Sequence, residues 1–164
     1  MKKLTPMQQL RNTLPQVGRV EWISVRPSKK EPAVVVADVQ ALVDAGLEGD
    51  RWRGRPGSSR QVTLIQKEHL AVVAGCLGLD TVSPILLRRN IMVSGINLLA
   101  LKDKRFMVGE AILEYSGLAH PCSKMEAALG PGGYNAMRGH GGITARVLQS
   151  GLIRTQDDVV YLSD

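Results

Sequence analysis

The stretch RFMVGEAILEY, residues 105–115, decides the class of fold that the sequence predicts. Two runs rich in apolar residues flank Gly109-Glu110, a two-residue signal for a tight turn between strands. Residues 105–109 and 111–115 are therefore expected to pair as a β-hairpin. A hairpin here favours a β-rich domain.

Other short apolar runs surround this hairpin and carry the same β-branched character. Further strands are predicted at Val20–Val25, Ala33–Ala37, Gln61–Ile65, Ile91–Val93, Ile143–Val147 and Val159–Leu162. Two or three short helical segments are predicted at Lys67–Leu77, Ser83–Leu87 and Ser123–Leu129. The pattern predicts a mainly β, barrel-like domain with a few short helices.

The chain has 164 residues, which is enough for one domain with a core and short for two. Residues 1–16 contain two prolines and show weak periodicity, so they are expected to form a loosely docked or disordered lead-in. Residues 17–164 are expected to form the domain, because no repeat or long linker divides them.

The formal net charge of +6 indicates a basic surface. Aromatic residues make up only 4% and are scattered, which favours an anionic small molecule over a nucleic acid as partner. A merely solvated basic surface is the alternative. No apolar run approaches the roughly 20 residues of a membrane helix, and no secretory signal is recognisable, so a cytoplasmic protein without membrane contact is expected.

The two cysteines, Cys76 and Cys122, are expected as free thiols in a reducing compartment. Neither belongs to a Cys-x-x-Cys pair, so a structural zinc site is not indicated. Cys76 lies within a predicted apolar helix and is expected to act as a small hydrophobic residue.

Cys122 stands in the most informative stretch, HPCSKME at residues 120–126. Ser123 and Glu126 have the spacing of a capping box, which predicts Ser123 as the N-cap of a helix. A cysteine at that end, near Lys124 and His120, would favour the thiolate that attacks sulfur or binds metal. Free cysteines are also among the most buried residues, so the local pattern leaves both roles open.

Several polar residues lie where predicted loops meet strands and are candidates for holding a ligand. Glycines in residues 131–142 would let backbone amides approach an anion, although such loops also form plain turns. The histidines lack metal-ligand spacing, and a dyad of Cys122 with His120 or His140 stays open. The candidates are Arg60, Gln61, Arg88, Asn90, Asn135, Arg138 and His140.

An ordered set of short motifs runs from about Val17 to Leu162. Taken together these motifs resemble the MOSC family, named for the C-terminal domain of molybdenum-cofactor sulfurases. The motifs are GLEGD (46–50), RQVTLI (60–65) with Glu68, LRRNI (87–91) with Gly95-Ile96, GEA (109–111) with Glu114, Pro121-Cys122 and GGITARV (141–147).

The resemblance implies a β-barrel of the pyruvate-kinase type and a functional role for Cys122. In relatives the matching cysteine ligates molybdenum or is proposed to carry sulfur, and bacterial stand-alone members are linked to detoxification of N-hydroxylated bases. The same match implies that Arg88 and Asn90 hold the pterin phosphate or ring of the molybdenum cofactor. An anionic cofactor of this kind would also account for the basic charge.

Two departures limit what the resemblance implies. Relatives often have a histidine after the Gly-Asp segment, where this chain has Arg51-Trp52. Many also have a second cysteine before the Pro-Cys pair, where this chain has Ala119-His120. The aminotransferase-like domain of full-length sulfurases is lacking, so pyridoxal phosphate is not expected, and a partner protein would supply sulfur or electrons.

Three functions follow as hypotheses. The first is a molybdenum-cofactor protein with Cys122 as molybdenum ligand, acting in reduction of N-hydroxylated compounds. The second is a sulfur carrier that holds a Cys122 persulfide for delivery to metal–sulfur centres. The third is a basic binding module without chemistry. Whether the protein is a molybdoenzyme, a sulfur transferase or no enzyme is left open.

Overall fold

The structure is a computed structural model that describes residues 1–51 and 58–163. Trp52, which stands where relatives often have a histidine or its neighbour, lies outside the described residues. The strands are β1 (Gly18–Val25), β2 (Val34–Val36), β3 (Asp38–Leu42), β4 (Gly46–Leu47), β5 (Val62–Gln66), β6 (Ile91–Ser94), β7 (Arg105–Val108), β8 (Ala111–Leu118), β9 (Ile143–Gln149), β10 (Gly151–Arg154) and β11 (Asp158–Leu162).

The helical segments are short. The α-helices are α1 (Pro6–Arg11), α2 (Lys67–Leu77), α3 (Ser123–Leu129) and α4 (Gly133–Met137), with 3-10 turns at Pro84–Leu87 and Leu98–Leu101. The predicted α2 is confirmed, and Gly78 ends it in the left-handed conformation. The sequence did not predict α1, α4, β3, β4, β10 or the 3-10 turn at Leu98–Leu101. Each of these elements is short, so its local pattern gives little signal.

Among the described residues, seven strands close into a barrel in the order β11-β7-β8-β9-β5-β6-β1, and β1 pairs with β11 to complete the ring. The predicted β-rich barrel is therefore confirmed. The hairpin of β7 and β8 is antiparallel, with Val108 opposite Ala111 across the Gly109-Glu110 turn. β2 pairs with the last three residues of β1, and β10, β3 and β4 form a small second sheet.

The pair β5 and β6 is parallel, with Leu64 opposite Ile91. A parallel pair needs a crossover connection, and α2 with the Pro84–Leu87 turn provides it. The N-terminal ends of both strands consequently lie at the same edge of the sheet. This arrangement brings together the residues that precede the two strands, Arg60-Gln61 before β5 and Arg88-Arg89-Asn90 before β6.

Two groups of buried apolar side chains form the core. One fills the barrel with residues from every barrel strand, including the fully buried Phe106, Ile23 and Leu113. The second lies between the barrel and the helices and contains Met125 of α3 and Met137. This second group fixes α3 and α4 against the outside of the barrel, and Cys122 directly precedes α3.

A row of paired residues crosses four neighbouring barrel strands. Ile91 of β6 is opposite Leu64 of β5, Leu64 is opposite Ile143 of β9, and Ile143 is opposite Leu118 of β8. Strands β6 and β8 cross this row in the same direction. Asn90 lies before the row on β6, and the chain that follows Leu118 of β8 lies on the opposite side of the row. The row therefore separates the edge with the arginines from the segment that leads to Cys122.

The lead-in at residues 1–16 includes the short helix α1, none of whose residues is buried. Leu14 is partly buried against the barrel core. No helix in residues 1–51 and 58–163 is long and apolar enough to cross a membrane.

We expect Gly142→Ala to lower the free energy of unfolding by about 3 kcal/mol, because an added Cβ would overlap the Leu64 carbonyl oxygen and the backbone has φ +86°. Gly75→Ala, within α2, has open space around the added Cβ and should instead stabilise the protein by about 0.5–1 kcal/mol. Urea unfolding measures both changes, and a Gly142→Ala protein as stable as the wild type would contradict this account of the β5–β9 contact.

Candidate functional site

A cavity of about 400 Å³ opens at the edge where β1 ends and β5 and β6 begin. Its volume lies in the range of small-molecule sites. Five arginines are among its described lining residues, and Asp50 is the only acidic residue among them. The lining residues are Ser24, Arg26, Ala33, Asp50, Arg51, Ser58, Arg60, Gln61, Thr63, Arg88, Arg89 and Asn90.

The charges in this cavity are unbalanced, because cations crowd around a single carboxylate. Burial, and then the charge of Arg88, lowers the pKa of Arg26, while Asp50 opposes the change. Burial raises the pKa of Asp50, although Asp50 accepts a hydrogen bond of 2.8 Å from the Arg26 amide. The described side chains thus present a positive surface that an anionic ligand would stabilise.

Asn90, a predicted ligand group, lines the cavity but uses its side chain to join strands. Its Oδ1 accepts hydrogen bonds from the Thr63 amide at 3.0 Å and the Thr63 hydroxyl at 3.1 Å. Its Nδ2 donates to the Ser24 carbonyl at 3.3 Å, and the side chain also bonds to Asp50. Asn90 therefore fixes the cavity wall and orients the Asp50 carboxylate.

Gln61 plays a similar part on β5. Its side chain is buried, its Oε1 accepts a hydrogen bond from the Val147 amide at 2.9 Å, and its Nε2 donates to the Ser58 carbonyl at 2.8 Å. Both polar atoms of the amide are thus engaged by the protein. Arg60 and Arg88, by contrast, line the cavity with exposed side chains.

Arg89 is the buried member of the arginine group and is 5% exposed. Its guanidinium donates to the carbonyls of Gly141 (Nε, 2.8 Å), Leu87 (Nη1, 3.1 Å), Ala119 (Nη2, 3.0 Å) and His120 (Nη2, 3.4 Å). Burial, and then the charge of Arg60, lowers the pKa of Arg89 to about 10; Cys122 opposes this shift and Arg88 adds to it. The group remains charged at neutral pH.

Cys122 is exposed and precedes α3 directly. It is not among the described lining residues of the arginine cavity. Arg89 links its segment to the cavity wall, because Arg89 lines the cavity and also donates to the carbonyls of Ala119 and His120. The structure thus brings Arg60, Gln61, Arg88 and Asn90 together at one edge, and Cys122 lies on the segment that Arg89 joins to that edge.

The predicted capping box at α3 is wrong. Cys122, not Ser123, is the N-cap residue, and no side chain caps this helix end. Glu126 instead accepts hydrogen bonds of 2.8 Å from the amides of Gly132 and Tyr134. The amides of Gly132 and Tyr134 lie at the start of α4, where backbone N–H groups have no partner within the helix. They therefore attract the Glu126 carboxylate, which bonds to them and not to the N-cap of α3.

Asn135 and Arg138 are exposed on and after α4, and neither is among the described residues that line the arginine cavity. His140 is partly buried and meets His69 edge to face, with ring centroids 5.0 Å apart. Its Nδ1 is buried without a hydrogen-bond partner among the described residues. The structure therefore separates these three candidates from the basic cavity.

The described residues contain no group of three or more His, Cys, Asp or Glu side chains that could hold a metal ion. A metal at Cys122 would need most of its ligands from a cofactor. Cys76 is exposed on α2, so the expectation that it behaves as a small hydrophobic residue is wrong.

The sequence did not indicate the cavity roles of Arg26, Asp50, Arg51 and Arg89. Arg88 and Arg89 both precede β6 and line the cavity, but Arg88 is exposed and Arg89 is buried. A buried arginine is rare, so residue type alone does not suggest one. The adjacent pair Arg88-Arg89 was the available signal, but it does not say which of the two is buried.

Solved structures with the same architecture place the chain in a class of small β-barrel proteins. The YuaD protein from Bacillus subtilis aligns with a TM-score of 0.76 and 19% identity, covering 93% of this chain and 100% of that chain. YiiM from Escherichia coli aligns with a TM-score of 0.68, 20% identity and coverages of 89% and 70%. YiiM from Geobacillus stearothermophilus has a TM-score of 0.66, 21% identity and coverages of 89% and 75%.

The family model described as "MOSC domain" matches residues 53–160. The chain belongs to the MOSC domain family, as the resemblance of its motifs implies. No curated protein sequence matches the chain.

Arg88 has a left-handed backbone with φ 58°, which is costly for a residue with a side chain. We expect Arg88→Gly to raise the free energy of unfolding by about 1 kcal/mol and to weaken binding of inorganic phosphate. Asp44 also has a left-handed backbone, with φ 61°, but it is not among the described residues that line the cavity. As the control, Asp44→Gly should stabilise the protein without changing its affinity for phosphate. Urea unfolding and calorimetric titration measure the two effects. Unchanged phosphate affinity in Arg88→Gly would show that Arg88 does not serve the cavity.

Hydrogen bonds from the amides of Tyr134 and Gly132 lower the pKa of Glu126. Since the folded-state pKa lies below the unfolded value, this contribution to stability is present above the unfolded pKa and is lost as pH falls through the folded pKa. We expect Glu126→Gln to lower stability at pH 7, with a smaller difference from the wild type in acid. The Glu48 side chain makes no hydrogen bond to the described residues, and Glu48→Gln is the control. Unfolding at several pH values checks this, and a pH-independent difference would contradict it.

Proposed function

We propose that this protein binds the molybdenum cofactor, with the pterin phosphate in the arginine cavity and the Cys122 sulfur as molybdenum ligand, and that it acts in reduction of N-hydroxylated compounds. One observation carries this proposal: Arg89, a lining residue of the five-arginine cavity, donates a hydrogen bond to the His120 carbonyl, two residues before the exposed Cys122. Membership of the MOSC family supports it, because the family is associated with this cofactor.

The residues present fit an anionic pterin. Arg89 carries a buried charge whose hydrogen bonds all go to neutral carbonyls, and no carboxylate pairs with it among the described residues. A buried charge of this kind is stabilised by an anion nearby. Arg60 and Arg88 would hold the phosphate, and Asp50 would accept hydrogen bonds from N–H groups of the pterin ring.

The cofactor would supply a redox metal that can pass two electrons to the substrate. In the proposed reaction the N–O bond of a hydroxylamine-type substrate breaks, two electrons reduce the nitrogen, two protons are taken up from solvent, and an amine and water leave. A separate electron-transfer protein is the proposed source of the electrons. Two exposed free cysteines suit the reducing cytoplasm that the proposal implies.

The exposed thiol also supports a second function, a sulfur carrier with a Cys122 persulfide supplied by a donor protein. An accessible cysteine is all that this function needs from the chain. The carrier function leaves the five cavity arginines without a role, whereas cofactor binding uses them. This difference favours the cofactor.

Purification from a cofactor-producing host tests the proposal. We expect about one molybdenum per wild-type chain, accompanied by oxidised-pterin fluorescence, and at least a tenfold loss of molybdenum in Cys122→Ser. Cys76→Ser is the matched control, because Cys76 is equally exposed but lies on α2. It should keep the wild-type molybdenum content.

The outcomes separate the functions. A mass increase of one sulfur atom on Cys122, without molybdenum or pterin, would replace the cofactor with the carrier function. Protein that carries neither group and binds oligonucleotides with steep salt dependence would indicate a basic binding module instead. Molybdenum retained in Cys122→Ser would contradict ligation by this sulfur.

A further inference from the structure

The Arg89 guanidinium joins three separate parts of the chain. Its hydrogen bonds reach Leu87 at the end of a 3-10 turn, Ala119 and His120 after β8, and Gly141 before β9. These bonds use most of the five N–H donors of a guanidinium. The four bonds leave from three different nitrogens of the planar fork, whereas a lysine ammonium has one nitrogen with three donors and cannot reproduce all four.

The position of these carbonyls relates Arg89 to Cys122. The row of paired residues from Ile91 to Leu118 separates the cavity edge from the segment that follows β8. Arg89 precedes this row, and its side chain reaches Ala119 and His120 beyond the row. His120 lies two residues before Cys122. The guanidinium is therefore a direct link between the cavity wall and the cysteine segment.

Gly141 shows how closely the segments meet around this link. An added Cβ at Gly141 would overlap the Ala119 carbonyl oxygen and would lie 3.4 Å from Arg89 Nη2. The Ala119 amide also donates to the Gly142 carbonyl at 2.9 Å. Gly141 therefore lets the cysteine segment lie within reach of Arg89, whereas the close contacts of Gly142 are with the backbone of Leu64 and Ile65.

We propose that Arg89 is the positioning residue for Cys122: its guanidinium holds the Ala119–His120 carbonyls and thereby keeps the sulfur beside the arginine cavity. This positioning role does not depend on which ligand the cavity binds. The expected effect of Arg89 variants on molybdenum content, in contrast, rests on the function proposed above. Arg89 does not touch the metal in this proposal but fixes the geometry of the residue that does.

The first measurement needs no molybdenum. In a Cys76→Ser background, a nitroxide label on Cys122 reports by electron paramagnetic resonance how firmly this segment is held. We expect faster label motion in Arg89→Lys and Arg89→Met than in the parent protein. Faster exchange of the Ala119 amide hydrogen should accompany this motion.

Val159→Ala is the control for a general loss of stability. Val159 is fully buried in β11, a strand that contributes no described residue to the cavity lining. The label on Cys122 should move as slowly in Val159→Ala as in the parent protein. This should hold even if urea unfolding shows that Val159→Ala loses as much stability as the Arg89 variants, or more. Arg89→Lys keeps the positive charge. It provides the test of the positioning role if Arg89→Met does not fold.

The second measurement is the molybdenum content of the same variants without the label. We expect at least a tenfold loss in both Arg89 variants and less than a twofold change in Val159→Ala. Unchanged label motion in a folded Arg89 variant, or equal mobilisation by Val159→Ala, would overturn the positioning role. If the wild-type protein carries no molybdenum, the proposed function is refuted but the positioning role is not. The label measurement needs no molybdenum and tests the positioning role by itself.

Discussion

The buried charge of Arg89 is the constraint on which the site depends. A guanidinium that is 5% exposed must have its N–H groups satisfied, and here backbone carbonyls from three segments satisfy them. Each of those segments has to approach closely, which explains the glycine at 141, where an added Cβ would overlap the Ala119 carbonyl oxygen. The positive charge itself is left without a carboxylate among the described residues, and this leaves the site suited to an anion.

The sequence allowed the barrel to be predicted because its strands are short apolar runs ended by clear turn signals. The Gly109-Glu110 hairpin and the end of α2 at Gly78 follow local rules that tertiary contacts do not override. α4 could not be predicted, since five residues that begin with glycine have little helical preference of their own. Its contact with Glu126 is a tertiary feature, and the same contact removed the expected capping box.

The site could be predicted in part. Arg60, Gln61, Arg88 and Asn90 stand at strand starts that the parallel β5–β6 pair brings together, and the motifs pointed to them. Their separate tasks could not be read from residue type. Asn90 and Gln61 bond to other strands, whereas Arg60 and Arg88 present exposed side chains to the cavity. Asn135 and Arg138 were suggested by their nearby glycines, and His140 also as a possible dyad partner of Cys122; none of the three is among the described residues that line the arginine cavity.

β1 pairs with different neighbours along its length, and this has a consequence for motion. Its first residues close the barrel through two residue pairs, Gly18 with Val159 and Arg19 with Asp158. Its last residues bond to β2 and carry Ser24 to the cavity wall. A closure made of so few pairs is where thermal breathing of the ring should concentrate. That seam lies at the opposite end of β1 from the cavity, so the barrel can loosen there while the cavity edge keeps its shape.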